Sequence, residues 1–447
     1  MDLDAIFKAY DVRGTYPDQL DEEVAHRVGR AVVELTKTQR VIVARDMRSS
    51  SEPLSTAFIS GAMTQGADVL DLGLASTDMM YFASGRFALP GAVFTASHNP
   101  AKYNGIKLCR AGAVPIGEDT GLLDIKGMVA ASSFSPGRRP GSVERGDVSR
   151  DYVDHLIGLV DVGAIRGLTV AVDAANGMGG LTVPMVFDRL PVDLIPLYFE
   201  LDGTFPNHPA DPIQPENLKD LTRTVLDTGA DIGLAFDGDA DRVFLVDEKG
   251  EPVSGSLTAA IVAQTILQKH PGEKVIYSLT CSRVVPEVIR ENGGEPIRSR
   301  VGHSFIKAVM ADTGAIFGGE HSGHYYFRDH YRADCGLLAA LNVLEVLARA
   351  GRPLSEVLEP LRSRYWASGE INSEVADKKA AIDAVAATFP RAGRDWTDGL
   401  TVDFDDWWFN VRPSNTEPLL RLNVEARDRA AGEARRDEIL AIIRGVG

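Results

Sequence analysis

Hydrophobic and polar positions follow one order three times along the chain. Val41-Ile-Val-Ala-Arg-Asp46, rich in β-branched residues, precedes an amphipathic stretch around Leu54 to Gly66 and a second apolar run, Asp68-Val-Leu-Asp-Leu72. Leu168-Thr-Val-Ala-Val-Asp173 opens a second unit and turns at Asn176-Gly177; Lys274-Val-Ile-Tyr-Ser-Leu279 opens a third, with helical spacing from Val284 to Glu291 and a stop at Asn292-Gly-Gly294. Short apolar strands alternating with helices predict sheets covered on both faces. The expectation is three similar α/β domains with mixed, mostly parallel sheets. After Leu361 the pattern changes. Trp366 to Glu374 and Trp407 to Arg412 read as strands and Asp377 to Phe389 as a helix, so a smaller C-terminal α+β domain is expected. Ser132 to Asp147, rich in Ser, Pro, Gly and Arg, reads as loop. The boundaries predicted are 1–148, 149–250, 251–361 and 362–447, around a central cleft where the domains meet.

Composition narrows the function. A chain of 447 residues is too long for one core, and a net charge of −16 argues against nucleic acid or an anionic membrane surface as partner. A small anion held by local arginines stays compatible with that charge. The start MDLDAIFKAY has no basic-then-apolar signal pattern and the chain has no long apolar run, so a cytoplasmic protein, monomer or small homo-oligomer, is expected. Cys109, Cys281 and Cys335 are far apart, which suggests neither a disulfide framework nor a zinc site.

Four stretches carry chemistry. In Phe236-Asp-Gly-Asp-Ala-Asp-Arg242, between two apolar strands, a glycine-bearing loop lets Asp237, Asp239 and Asp241 converge, and hard oxygen ligands at that density ask for Mg²⁺, Mn²⁺ or Ca²⁺. An EF-hand is excluded: the position that needs glycine is Arg242, and the flanks are strands. In Thr95-Ala-Ser-His-Asn-Pro100, Ser97 stands just past a strand with His98 beside it and Lys107 further on. A serine there is ordinarily a cap, and no esterase elbow surrounds it; but a phosphoryl-exchanging serine needs a cation and a proton carrier, which the two stretches supply together. Gly318-Gly-Glu-His-Ser-Gly-His324, with Glu320 and Ser322 between glycines, suits a polyol such as a sugar better than zinc, and Arg300 to Lys307 adds basic groups upstream. Arg412-Pro-Ser-Asn-Thr-Glu-Pro418 is a candidate phosphate or carboxylate cradle, although Ser-Asn-Thr also caps helices.

Together with Tyr10-Asp-Val-Arg-Gly14, these stretches resemble, in order and across nearly the whole chain, the α-D-phosphohexomutase family, and within it the bacterial phosphomannomutase/phosphoglucomutase group. The resemblance implies four domains around a deep cleft and an enzyme of carbohydrate metabolism that interconverts hexose 6-phosphate and hexose 1-phosphate. It implies that Ser97 is phosphorylated at rest, that Asp237, Asp239, Asp241 and a phosphoserine oxygen hold one Mg²⁺, and that hexose 1,6-bisphosphate is intermediate and activator. Glu320 and Ser322 would bind the sugar hydroxyls O3 and O4; Arg412, Ser414, Asn415 and Thr416 would bind the phosphate that is not reacting. Arg13, His98 and Lys107 fall beside the phosphoserine, with Lys107 the expected general acid/base; Arg242, His303, His324 and Arg421 fall at substrate-contacting positions. One departure is Thr280, where the family often carries a base; Arg283 is the nearest. The alternatives are a phosphoglucosamine mutase, which usually has Gly for Asn415 and Gln for His321; a haloacid-dehalogenase-type enzyme with Asp237 as nucleophile, disfavoured by Asp241; and a non-catalytic sugar-phosphate sensor.

Overall fold

The computed structural model of the chain describes residues 2–134, 137, 139–390, 393–414 and 419–445. It contains four sheets, one per domain. The first three share one core arrangement: a central strand with a parallel neighbour on each side, one of which turns back into an antiparallel strand. In the first domain the central strand is Arg40–Arg45, flanked by Asp68–Leu74 and Gly91–Phe94, and Gly91–Phe94 turns back into Tyr103–Arg110. In the second, Thr169–Asp173 lies between Asp193–Leu197 and Ile232–Phe236, which turns back into Val243–Asp247. In the third, Lys274–Ser278 lies between Glu295–Ser299 and Phe317–Gly319, which turns back into Tyr325–Phe327. Strands such as Ile232–Phe236 are buried along their whole length because helices cover both faces, which is why they read as unbroken apolar runs.

The stretch from Ser132 to Asp147 is not all loop. Val143–Arg145 adds a parallel edge strand to Asp68–Leu74. Three exposed residues at a sheet edge carry no apolar alternation, so sequence pattern has nothing to detect there.

The fourth sheet is antiparallel throughout, in the order Trp366–Glu374, Leu419–Ala426, Trp407–Pro413, Leu400–Asp403, Gly393–Asp395. Lys378–Thr388, capped by the Asp377 carboxylate accepting from the Ala380 N–H at 2.9 Å, and Arg429–Gly445 complete the domain. Its core, built around Val385, Phe409, Leu422 and Ile439, is separate, whereas one apolar cluster runs continuously through the first three domains, from Ile42 through Phe236 to Leu361. The contact between the third and fourth domains is largely polar. Arg283 donates to Asp403 and to the carbonyls of Phe404 and Trp407, Arg298 pairs with Asp395 at 2.9 Å, and Arg364 bridges Glu287 and Glu291 at 3.1 and 2.7 Å. None of the described helices is long and apolar enough to cross a membrane.

Candidate active site

The repeated topology decides where the polar loops go. Residues 95–102, 237–242 and 320–324 each fill the connection from the last parallel strand of their sheet to the antiparallel strand that follows it, at the C-terminal end of the parallel set. Ligand sites of open α/β sheets form at those ends. Three equivalent hairpins facing one another make a single site from distant segments.

Ser97 and the acidic turn meet directly. The Ser97 hydroxyl donates to Asp237 Oδ2 at 2.6 Å across the junction of the first two domains, and the Arg242 guanidinium reaches the same hydroxyl at 3.4 Å. Ser97 is buried and has φ +51°, in the left-handed region that few non-glycine residues occupy. What holds it there is Arg48. This arginine, itself buried, donates to the carbonyls of Ser97, Asn99, Pro100 and Tyr103 at 2.7 to 3.1 Å, and Asp46, also buried, pairs with its Nε at 3.2 Å. Gly238 completes the fit, because a Cβ at that position would lie 2.4 Å from the Ser97 carbonyl oxygen.

Asp237, Asp239 and Asp241 bring one carboxylate oxygen each within 4.8 Å of one another. Lys107 donates to Asp239 at 2.7 Å and to Asp241 at 2.6 Å, Thr77 donates to Asp239 at 2.5 Å, and Arg242 Nε pairs with Asp237 at 2.9 Å. The second oxygens of Asp239 and Asp241 are buried and accept no hydrogen bond among the described residues. Unsatisfied buried carboxylate oxygens converging on one point are the donor set of a hard divalent cation, so the residues fit Mg²⁺.

Electrostatics follow the packing. Burial pushes the Asp237 carboxyl well up, with Asp241 and Asp239 adding to the effect and Arg242 opposing it. Burial also acts against ionisation of Asp239, but the Lys107 ammonium overrides it and holds that carboxyl below its usual range. For Lys107 burial favours loss of the proton, and Asp239 and Asp241 more than reverse this, leaving its pKa well above that of a free lysine. His98, half-buried, has Nδ1 at 3.4 Å from the Ser97 hydroxyl, and burial together with Arg242 and Arg13 keeps its ring neutral. Arg13 is held against the serine loop by Asn99 at 2.7 Å and by Asp11 at 2.5 Å.

The loop of the third domain adjoins this centre. Glu320, buried, accepts from the Gly302 N–H at 3.0 Å and from the Tyr326 hydroxyl at 2.6 Å. His324 lies 3.0 Å from the Ser322 hydroxyl and 3.8 Å from Asp241, linking the third-domain loop to the acidic turn. His303 stands edge-on to Tyr10 with ring centroids 5.2 Å apart, and burial followed by Lys307 lowers its pKa well below the usual value. In the fourth domain Arg412 and Arg421 are both close to Glu370, at 3.0 and 3.1 Å. His321 is near enough to that pair for Glu370 and Arg412 to act on its charge, after burial, which lowers its pKa. Ser414 lies at the end of the strand that carries Arg412, while Asn415 and Thr416 lie outside the described residues. Arg283 does not stand in for a base at Thr280, since its guanidinium is spent on the fourth domain.

Several participants escaped sequence reading. Arg48 has one faint signal, a charged pair with Asp46 at the end of a strand; Thr77, Tyr326, Glu370 and Asp334, which pairs with Lys307 at 2.7 Å, have none.

Comparison with known proteins agrees with the four-domain fold. Residues 4–135, 150–250, 254–365 and 370–442 match, in that order, the phosphoglucomutase/phosphomannomutase alpha/beta/alpha domains I, II and III and C-terminal domain. The chain is 41% identical over 448 residues to a phosphomannomutase of Salmonella montevideo, covering 98% of each chain. It is 40% identical over 444 residues to a protein of Xanthomonas campestris pv. campestris named phosphohexose mutases, covering 98% of this chain and 99% of the other. A crystal structure of a phosphoglucomutase/phosphomannomutase family protein from Burkholderia thailandensis superposes with a TM-score of 0.91 at 35% identity, covering 100% of this chain and 98% of that one.

Proposed function

Because this chain belongs to the α-D-phosphohexomutase family and is a hexose phosphate mutase, we propose that it interconverts the 6- and 1-phosphates of mannose and glucose through phosphoserine 97 and a hexose 1,6-bisphosphate. One observation carries the reading: a hydroxyl from one domain sits 2.6 Å from the acidic turn of the next, and two cationic side chains pair with that turn, Arg242 from its own end and Lys107 from the first domain. That is the constellation a transferring phosphoryl group needs on its equatorial oxygens.

Ser97 carries the phosphoryl group and hands it to the free hydroxyl of a hexose monophosphate; the P–O bond to the serine breaks as the bond to the sugar oxygen forms. Lys107, kept protonated by its two aspartates, gives a proton to the departing serine oxygen and regains one from the acceptor hydroxyl as that oxygen bonds to phosphorus; the reverse half-reaction runs the same transfers backward. Arg242 and Arg13 hold phosphoryl oxygens, and neutral His98 packs beside the serine. Asp237, Asp239, Asp241 and the Ser97 oxygen would hold Mg²⁺, which when bound supplies positive charge to the transferring group and takes up carboxylate charge around Lys107. The bisphosphate then turns end for end. Glu320 and Ser322 read O3 and O4, which either orientation can present, while Arg412, Ser414, Asn415, Thr416 and Arg421 take the phosphate at rest, with His303 and His324 lining the sugar between them. Glu320 is suited to this because each carboxylate oxygen has a fixed protein donor and keeps a lone pair for the sugar.

The test is chemical. Intact mass and peptide mapping are expected to find one acid-stable, hydroxylamine-resistant phosphate on Ser97, and Ser97→Ala is expected to lose both the label and turnover. A hydroxylamine-labile phosphate on Asp237 would overturn the proposal in favour of an aspartyl enzyme. Coupled assays with mannose, glucose and glucosamine phosphates, each primed with bisphosphate, rank the sugars through kcat/KM, and preference for glucosamine would select the phosphoglucosamine mutase alternative.

A further inference from the structure

Arg412 and Arg421 are direct partners across the antiparallel pair Trp407–Pro413 and Leu419–Ala426, so two guanidinium groups project from one spot on the same face. Like charges directly opposite one another in a sheet repel. Glu370 resolves the repulsion. It lies on the neighbouring strand Trp366–Glu374, two residues from Asn372, the partner of Arg421, so it shares their face. Its two carboxylate oxygens are divided between the two cations, Oε2 to Arg412 Nη2 at 3.0 Å and Oε1 to Arg421 Nη1 at 3.1 Å. The strand is shaped for this. Its register shifts between Ala367 and Glu370, Gly369 takes φ +69°, and the Ser368 hydroxyl accepts from the Val424 N–H at 3.0 Å. A bulge of that kind re-aims the side chain that follows it. The Arg412 side chain is 5% exposed, that of Glu370 16% and that of Arg421 22%, so the trio is neither solvated surface nor sealed core.

We propose that Glu370 is a positioning residue and a built-in counter-ion, exchanging with substrate phosphate on Arg412 and Arg421. The inference rests on the function proposed above and adds a requirement that the reaction imposes. A bisphosphate that reverses its direction must let go of the cradle in mid-cycle and return by its other end. Without the Glu370 charge the two arginines would hold a phosphate dianion more tightly and would lose that compensation whenever it left. A carboxylate bridging both nitrogens takes the place of the departing phosphate, holds the guanidinium planes ready for the next one and weakens the grip by competition. Arg412 Nε, buried and without a partner among the described residues, is left for the phosphate in addition to the nitrogens that Glu370 vacates.

The sign of the effect separates this role from simple scaffolding. Glu370→Gln keeps the size and one acceptor but removes the charge, and Glu370→Asp keeps the charge. With the full chain, titration calorimetry using inorganic phosphate is expected to show about tenfold tighter binding in Glu370→Gln and near-wild-type binding in Glu370→Asp. In steady state with mannose 1-phosphate, KM and kcat of Glu370→Gln are expected to fall together, since the cradle releases more slowly. Phosphate binding that is unchanged or weaker in Glu370→Gln, in protein that melts like wild type, overturns the proposal. If Glu370→Gln melts early, Glu370→Asp decides alone, and loss of phosphate affinity there reduces Glu370 to a structural strut. Absence of turnover in the wild-type chain, with the phosphate affinities ordered as expected, would sink the mutase mechanism and leave the counter-ion intact.

Discussion

Gly238→Ala places a single methyl group between the two loops that the proposed chemistry joins. Gly238 does not occupy the left-handed region, so alanine incurs no conformational penalty there, and the effect is one of contact. The new Cβ would lie 2.4 Å from the Ser97 carbonyl oxygen and 3.6 Å from the Ala210 Cβ. The first distance is roughly 1 Å short of an ordinary contact, so the serine loop must retreat by about that much. Retreat is opposed by Arg48, which holds the same carbonyl at 2.8 Å, and it pulls the Ser97 hydroxyl out of hydrogen-bond range of Asp237. A nucleophile displaced by about 1 Å loses on the order of 100-fold in kcat, equivalent to about 2.7 kcal/mol, with overpacking expected to lower stability by about 1–3 kcal/mol. The assay is primed turnover of mannose 1-phosphate together with the melting curve. Gly127→Ala is the control, because an added Cβ there meets nothing within 4 Å. A Gly238→Ala enzyme with native melting and kcat within about threefold of wild type would refute the claim that contact between these loops sets the geometry of transfer.

Further outcomes follow from the same packing. Arg48→Met strands the buried Asp46 carboxylate and is expected to lower unfolding free energy by about 3–5 kcal/mol in urea titration, with partial recovery on adding Asp46→Asn. Chelation is expected to abolish turnover, and Mg²⁺ at about 100 times its dissociation constant is expected to stabilise the protein by about 2.7 kcal/mol in a thermal shift, an effect lost in Asp239→Asn. His330 is buried with neither ring nitrogen hydrogen-bonded among the described residues, and burial lowers its pKa from 6.5 to about 3. A depressed histidine costs the folded state nothing above pH 6.5 and progressively more as pH falls towards 3, so His330→Phe is expected to gain about 2 kcal/mol over wild type at pH 5 and little at pH 8 in denaturant titrations.

How much of this was legible in the letters depends on what each residue binds. Val284–Glu291 is delimited by its own apolar spacing and by the stop at Asn292-Gly-Gly294, and the structure has the same bounds, as it does for Trp366–Glu374. The loops around Ser97, Asp237 and Glu320 stood out because polar groups are dense where strands end. Their equivalence as one hairpin, repeated in three sheets, did not, since strand pairing is a long-range property that local pattern does not carry. Arg48 was overlooked because it binds backbone carbonyls, which have no sequence signature, and Glu370 because its role depends on a bulge and on partners some 40 and 50 residues away. Val143–Arg145 is too short and too exposed to show a period, so nothing in its letters separates it from loop.

The seam between the third and fourth domains differs in kind from the continuous grease that binds the first three. If the last domain swings away, what comes into view is guanidinium and carboxylate, groups that water receives readily, and its own apolar centre stays sealed. Parting any of the other three would tear a shared oily interior and expose surface prone to clumping. Any opening along this seam would therefore respond to ionic strength, on the flank that carries Arg412 and Arg421.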